Sequence, residues 1–227
     1  INLQTIKHEA RQAEAARLQT LQQKMREMVA NNPRLAAMSS QIRLDMTPDG
    51  LRIQIVDEQS RAMFDSGSAV VKPYMRELLH EIAQVLAEVP NRLTIEGHTD
   101  AAPFAGGERG YSNWELSSDR ANASRRELLA GGLPEARVLR VQGLASSALY
   151  ERDAPLGAVN RRISLIVMNR EAEDRLLSGP KGGALTSATA RDATNWDQLV
   201  RGLGLPDLAR HGRRHTDRPV AKRMVIG

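Results

Sequence analysis

Cysteine is absent from all 227 residues. That excludes disulfides and thiolate metal sites but selects no compartment, because many exported proteins also lack it. Aromatic residues are scarce, at 3% of the chain. No run approaches the roughly 20 consecutive apolar residues that span a bilayer. The opening Ile1-Asn2-Leu3-Gln4 lacks the charged-then-apolar order of a signal peptide. The five histidines lie far apart, at positions 8, 80, 98, 211 and 215. No HExxH, CxxC, Gly-x-Ser-x-Gly elbow or P-loop accompanies them. A protein that is not an enzyme and holds no cofactor or metal is therefore expected, with His98 structural at a strand end.

What is present suits one good core. Apolar residues make up 41% of the chain, enough for a domain with flanking extensions. The net charge of +5 is unevenly placed: residues 178–227 hold nine Lys and Arg against four Asp, whereas acids and bases balance in the rest. The stretch 178–227 therefore reads as a basic, mostly disordered tail, broken at Gly179-Pro180-Lys181-Gly182-Gly183, with a short helix around Trp196–Leu203. Its His211–Arg223 cluster has the charge to meet polyanions, but such runs are usually solvated, and no nucleic-acid partner is expected.

Residues 3–31 contain no Gly or Pro and are rich in Ala, Leu, Gln, Arg and Glu, which predicts a long helix ended by Asn31-Asn32-Pro33. Leu18, Leu21, Met25 and Met28 form a narrow apolar stripe on it, fitted either to a partner or to the domain's own surface. Ile42–Met46 and Leu51–Val56 then read as a hairpin around Pro48-Asp49-Gly50, with Leu51, Ile53 and Ile55 alternating against Arg52 and Gln54. A helix follows over Pro73–Val89, its buried face Leu78, Leu79, Ile82, Val85, Leu86 and Val89. A strand over Arg92–Gly97, a helix capped by Ser112 or Asn113 and closed at Gly131-Gly132, and strands over Val138–Gln142 and Arg162–Met168 complete the pattern. This order predicts an α+β sandwich, a mixed β-sheet with helices on one face, preceded by the long N-terminal helix.

Chemistry concentrates where Ile95-Glu96-Gly97-His98-Thr99-Asp100 is followed by Ser112-Asn113-Trp114-Glu115-Leu116-Ser117-Ser118-Asp119-Arg120. Asp100, at the end of a strand, can accept hydrogen bonds from an ammonium. Arg120, in the next helix, can present its planar fork to a carboxylate, a bidentate match that Lys does not reproduce. Together they would hold a zwitterion; the plain alternative is an ordinary ion pair. The Arg120 charge also opposes the positive end of its helix, which makes better sense if an anion visits. Alternation along the strand sends Arg161 and Arg162 to opposite faces, so that one can approach the pair.

Gly97–Asp100, the Asn113–Ala121 helix start and Asn160-Arg161-Arg162-Ile163 resemble, in order, the motifs of the OmpA-like peptidoglycan-binding domain. Gly50–Ile55, Met63–Ala69 and Gly110–Leu116 extend the resemblance to the peptidoglycan-anchored stator subunits of the flagellar motor, the MotB family, over roughly residues 17–175. The resemblance implies a linker helix at 1–38 and a peptidoglycan-binding domain at 39–177, and does not extend to the tail at 178–227. It assigns Asp100 to the ammonium and Arg120 to the carboxylate of a diaminopimelate side chain. Thr99, Ala101, Asn113 and Leu116 stand beside them, Asn113 with the alternative of a helix cap and Leu116 with that of core packing. Arg161, Arg162, Phe64 and Asp65 complete the set, Phe64 equally suited to the core and the two Arg to surface ion pairs. The loop Ala101–Tyr111 is long enough to lid or narrow the pocket.

The resemblance further implies peptidoglycan as partner, a homodimer, and a MotA-type stator subunit reached through a membrane helix upstream of this chain. It implies a periplasmic location with inner-membrane anchoring and a role in motility. Two other classes remain open: a dimeric OmpA-like interaction module that uses the same rim for a protein partner, and a peptidoglycan hydrolase, which the missing metal and nucleophile disfavour.

Overall fold

The structure is a computed structural model that describes residues 2–104 and 110–178. The stretch expected to be a basic tail, Ser178 apart, lies outside the described residues, as does the middle of the Ala101–Tyr111 loop.

Asn2 caps the first helix, α1 (Leu3–Asn31), by accepting the Gln4 N–H, and a short α2 (Pro33–Ala36) follows at the expected proline. The hairpin comprises β1 (Ile42–Thr47) and β2 (Gly50–Val56). Gly50 takes a φ of 132°, and a Cβ there would sit 2.1 Å from the Val167 carbonyl oxygen, so only glycine fits this turn. Next come α3 (Pro73–Ala87), β3 (Leu93–His98), α4 (Asn113–Ala130), β4 (Val138–Gly143), β5 (Arg162–Met168) and α5 (Arg170–Ser178). The sequence reading did not include α5. Among the described residues, no helix is long and apolar enough to cross a membrane.

The five strands form one mixed sheet in the order β1-β2-β5-β3-β4, with β3 and β4 parallel and the other pairs antiparallel. Leu51, Ile53 and Ile55 of β2, Leu93 and Ile95 of β3, and Ile163, Leu165 and Val167 of β5 are all buried. In register they make one apolar face. Met75, Leu78, Leu79, Ile82, Ala83 and Leu86 of α3 and Ala121 and Leu128 of α4 belong to the same core. Each large side chain so buried contributes roughly 1.5–3 kcal/mol. The opposite face carries Gln54, Thr94, His98, Arg162 and Ser164, and α5 lies at one end of it beside Thr94, Ile166 and Met168.

The apolar stripe on α1 is used within the chain. Leu18, Leu21, Met25 and Val29 are buried, while the expected Met28 sits half-buried at the margin. The described part of the stretch expected to be a linker, residues 2–38, forms one unit with the rest of the described domain. The first half of the helix remains exposed, with Leu3 and Ile6 open to solvent. Whether a helix separates from its domain is decided by how many of its apolar positions find a partner, and only the second half of α1 has them.

Candidate functional site

Strand order creates the site. β5 runs antiparallel between β2 and β3, so the residue that enters β5 lies between the residues that leave β2 and β3. Those residues are Arg161 in the middle and Asp57 and Asp100 on either side of it. Arg161 donates its Nε to Asp57 Oδ2 at 2.8 Å and its Nη1 to Asp100 Oδ2 at 2.7 Å. The other oxygen of Asp57 accepts the Met63 N–H at 2.7 Å, and that of Asp100 accepts the Ala102 N–H at 3.1 Å. Burial pulls the Arg161 pKa down, but hydrogen bonds to both carboxylates outweigh it and the net shift is upward.

Close packing of α4 sets the second pole. A Cβ on Gly97 would lie 2.0 Å from the Ser117 carbonyl oxygen, and one on Gly143 would lie 2.2 Å from Ser118 Oγ. Bare backbone at these two positions lets α4 lie directly on β3 and β4. Ser112, rather than Asn113, caps α4, in a capping box with Glu115. The Asn113 amide instead donates to the Ala102 carbonyl at 2.8 Å, tying the loop after Asp100 to the helix. Arg120 lies about two turns in, beyond the range of the helix end. It is buried, and its Nε donates to the Ser68 carbonyl at 2.9 Å, its Nη2 to the Asp65 carbonyl at 3.3 Å. Its guanidinium lies 5.0 Å from the centre of the Phe64 ring, an attraction of about 0.5–2 kcal/mol. Burial lowers its pKa, and among the described residues no carboxylate lies within ion-pair distance of it.

Most of the predicted residues meet at this end of the sheet. Phe64 belongs to the core and also lies beneath the Arg120 guanidinium. Asp65 offers Arg120 its carbonyl and directs its carboxylate to Lys72. Thr99 is buried, its N–H bonded to the Ala145 carbonyl and its Oγ1 without a partner among the described residues. The Ala101 N–H is taken by the Pro155 carbonyl at 2.9 Å. Leu116 is buried. Phe104 stacks obliquely on Tyr111, with ring centres 5.2 Å apart, and its ring reaches the Gly67 turn.

Arg162 is a correction. It lies on the far face of the sheet, donating to the Ala148 carbonyl at 2.8 Å beside the Tyr150 ring, and burial lowers its pKa to about 10. Strand alternation separates it from Arg161, and the site set loses it. Asp57 was missed by the sequence reading. The available signal was its place directly after Val56, an acid at a strand end like Asp100. Its distance of 104 residues from Arg161 hid the contact. Asn160, fully buried, accepts the Glu151 N–H and donates to the Ala154 carbonyl, folding the loop that leads into Arg161.

Known proteins place this geometry in context. The model of the OmpA family matches residues 63–162. Motility protein B of Escherichia coli K12 is 51% identical over 164 residues, covering 72% of this chain and 53% of that protein. The chain thus spans about half the length of this relative. The putative truncated flagellar export/assembly protein LafU of the same strain is 40% identical over 141 residues, 62% of this chain and 66% of that one. Among solved structures, a putative MotB-like protein from Desulfovibrio vulgaris shares the fold with a TM-score of 0.57 at 19% identity, over 70% of this chain and 98% of that one.

Proposed function

We propose, on the premise that this chain belongs through residues 63–162 to the OmpA family and resembles motility protein B, that it binds peptidoglycan without catalysis and anchors a flagellar stator to the cell wall. The ligand group is the free amino-acid centre of the diaminopimelate side chain. Asp100 receives its ammonium and Arg120 its carboxylate. Arg161 orients Asp100, and Thr99, Ala101, Asn113 and Leu116 shape the space between, with Phe64 and Asp65 behind Arg120.

The observation that carries this reading is the state of Arg120. A buried guanidinium above an aromatic ring, held by neutral carbonyls alone among the described residues, keeps its charge available to an incoming carboxylate. Planar, bidentate recognition is what arginine adds over lysine here. In the whole protein, two copies carry two wall-binding domains in the periplasm. A membrane helix upstream of this chain fixes them in the inner membrane beside a MotA-type subunit, and ion flow there produces torque.

Co-sedimentation with purified diaminopimelate-type sacculi tests the reading. The chain should pellet with the wall, and Asp100→Asn should not. Normal pelleting of the variant would reject the assignment. Light scattering tests the two-copy arrangement, which a monomer across working concentrations would remove.

A further inference from the structure

Arg161 is shared between two acids. Asp57 takes its Nε and Asp100 its Nη1, at 2.8 and 2.7 Å. One cation between two carboxylates leaves the group with an excess negative charge, whereas Arg161 and Asp100 alone would form a neutral pair. Asp57 is nearly as buried as a core residue, at 6% exposure, and its second oxygen holds the Met63 N–H. That N–H opens the segment whose Asp65 and Ser68 carbonyls grip Arg120. One carboxylate thus reaches both poles of the site.

We propose that Asp57 is a positioning residue that determines specificity. By balancing Arg161, it leaves Asp100 the negative charge that a ligand ammonium requires, and by holding Met63 it sets the frame around Arg120. The inference rests on the zwitterion-binding reading above and extends it, since it predicts which half of the ligand depends on a residue that does not touch it. Asp57 also leads the carboxylates that favour the charged form of Arg120 against burial, ahead of Asp100, while Arg161 opposes it. The site thus has two poles of opposite sign, and Asp57 supports both.

The test is calorimetric titration of the full chain with meso-diaminopimelate and with pimelate, the same seven-carbon diacid without ammonium groups. The wild-type chain should prefer diaminopimelate. Asp57→Asn keeps an oxygen for the Met63 N–H but removes the charge. It should weaken diaminopimelate by about tenfold or more while leaving pimelate unchanged or tighter, because the neutralised Arg161–Asp100 pair repels it less. Circular dichroism and the thermal midpoint report whether the variant is folded.

Equal loss of both ligands in Asp57→Asn, or a preference that survives it, would overturn the inference alone. A wild-type chain that takes neither ligand, or does not distinguish them, would overturn the zwitterion reading and this inference with it.

Discussion

Arg161 and Asp100, 61 residues apart in sequence, meet at 2.7 Å where the entry to β5 passes the exit from β3. The acid of the site is therefore held in place before any ligand arrives. Its pose is set by a cation, so that under the proposed function a ligand ammonium would need only to approach a carboxylate already aimed. Arg120 is oriented differently, by carbonyls and a ring, and these different supports make the two poles separable by mutation.

Arg120→Ala should abolish co-sedimentation with sacculi, because the ligand carboxylate would be left unpaired at a loss of about 2–5 kcal/mol. Arg120→Lys should recover little of it, since an ammonium cannot span the Ser68 and Asp65 carbonyls and still offer a fork. A lysine variant that pellets like the wild type would argue against bidentate recognition.

Gly97→Ala should lower stability by about 1–3 kcal/mol, because the new Cβ would press on the Ser117 carbonyl oxygen, which α4 cannot withdraw without shifting as a body. Wall binding should fall with it, as Arg120 rides on the same helix. Urea unfolding together with sacculus pelleting checks both effects, and an unchanged midpoint would mean that α4 yields easily.

Leu21→Ala and Met25→Ala should each destabilise the domain by roughly 2–5 kcal/mol, the usual loss for truncating a fully buried aliphatic side chain. Leu3→Ala and Ile6→Ala, in the exposed half of α1, should stay within about 0.5 kcal/mol. Thermal melts of the four variants show which half of α1 the core depends on.

His98 gives a pH dependence of known sign. Burial lowers its pKa below the ordinary 6.5, aided by the nearby charges of Arg162 and Arg52 and opposed by Glu96. The unfolded chain therefore binds the proton first, and the contribution is fully present above about pH 6.5. Stability should fall as pH drops below that value, and this contribution should level off once the folded group also protonates. Denaturant midpoints at pH 7.5 and 5 should differ less in His98→Gln than in the wild type; an identical difference in both would exclude His98 as the cause.

Asn160→Ala should remove the bonds to Glu151 and Ala154 and cost about 0.5–1.5 kcal/mol for each part-buried hydrogen bond lost. Pro155, whose carbonyl holds the Ala101 N–H, belongs to the same loop. Binding should therefore weaken beyond what the loss of stability explains, as measured by pelleting at a temperature where the variant is fully folded.

Periodicity and turn chemistry were enough to read the five strands and the longer helices. Alternation in Leu51–Val56, a proline at the start of α3 and paired glycines after α4 are local signals that depend on neighbours only a few residues away. The same logic separated Arg161 from Arg162, because adjacent residues in a strand point to opposite faces whatever surrounds them. Motif order located Asp100 and Arg120. What local pattern did not reveal was how each is held: Asp57 in a salt bridge across 104 residues, the Ser68 carbonyl under Arg120 across 52, Phe64 as both core and floor. The identity of the helix cap needed coordinates too, since Ser112 and Asn113 are equally good candidates until one amide is seen to reach the Ala102 carbonyl.

The sequence by itself therefore determined which segments are helix or strand, which faces are apolar, and which acid and base are candidates, because side-chain type and spacing act locally. Only the tertiary structure decided that α1 is half core and half exposed, that Arg162 is the one of the two arginines on the other face, and that Asp57 shares Arg161 with Asp100. The last of these follows from strand order, which brings the exits of β2 and β3 to either side of the entry to β5. Hydrophobic burial over the whole sheet selects that order, and the charges are carried to one end of the sheet as a consequence.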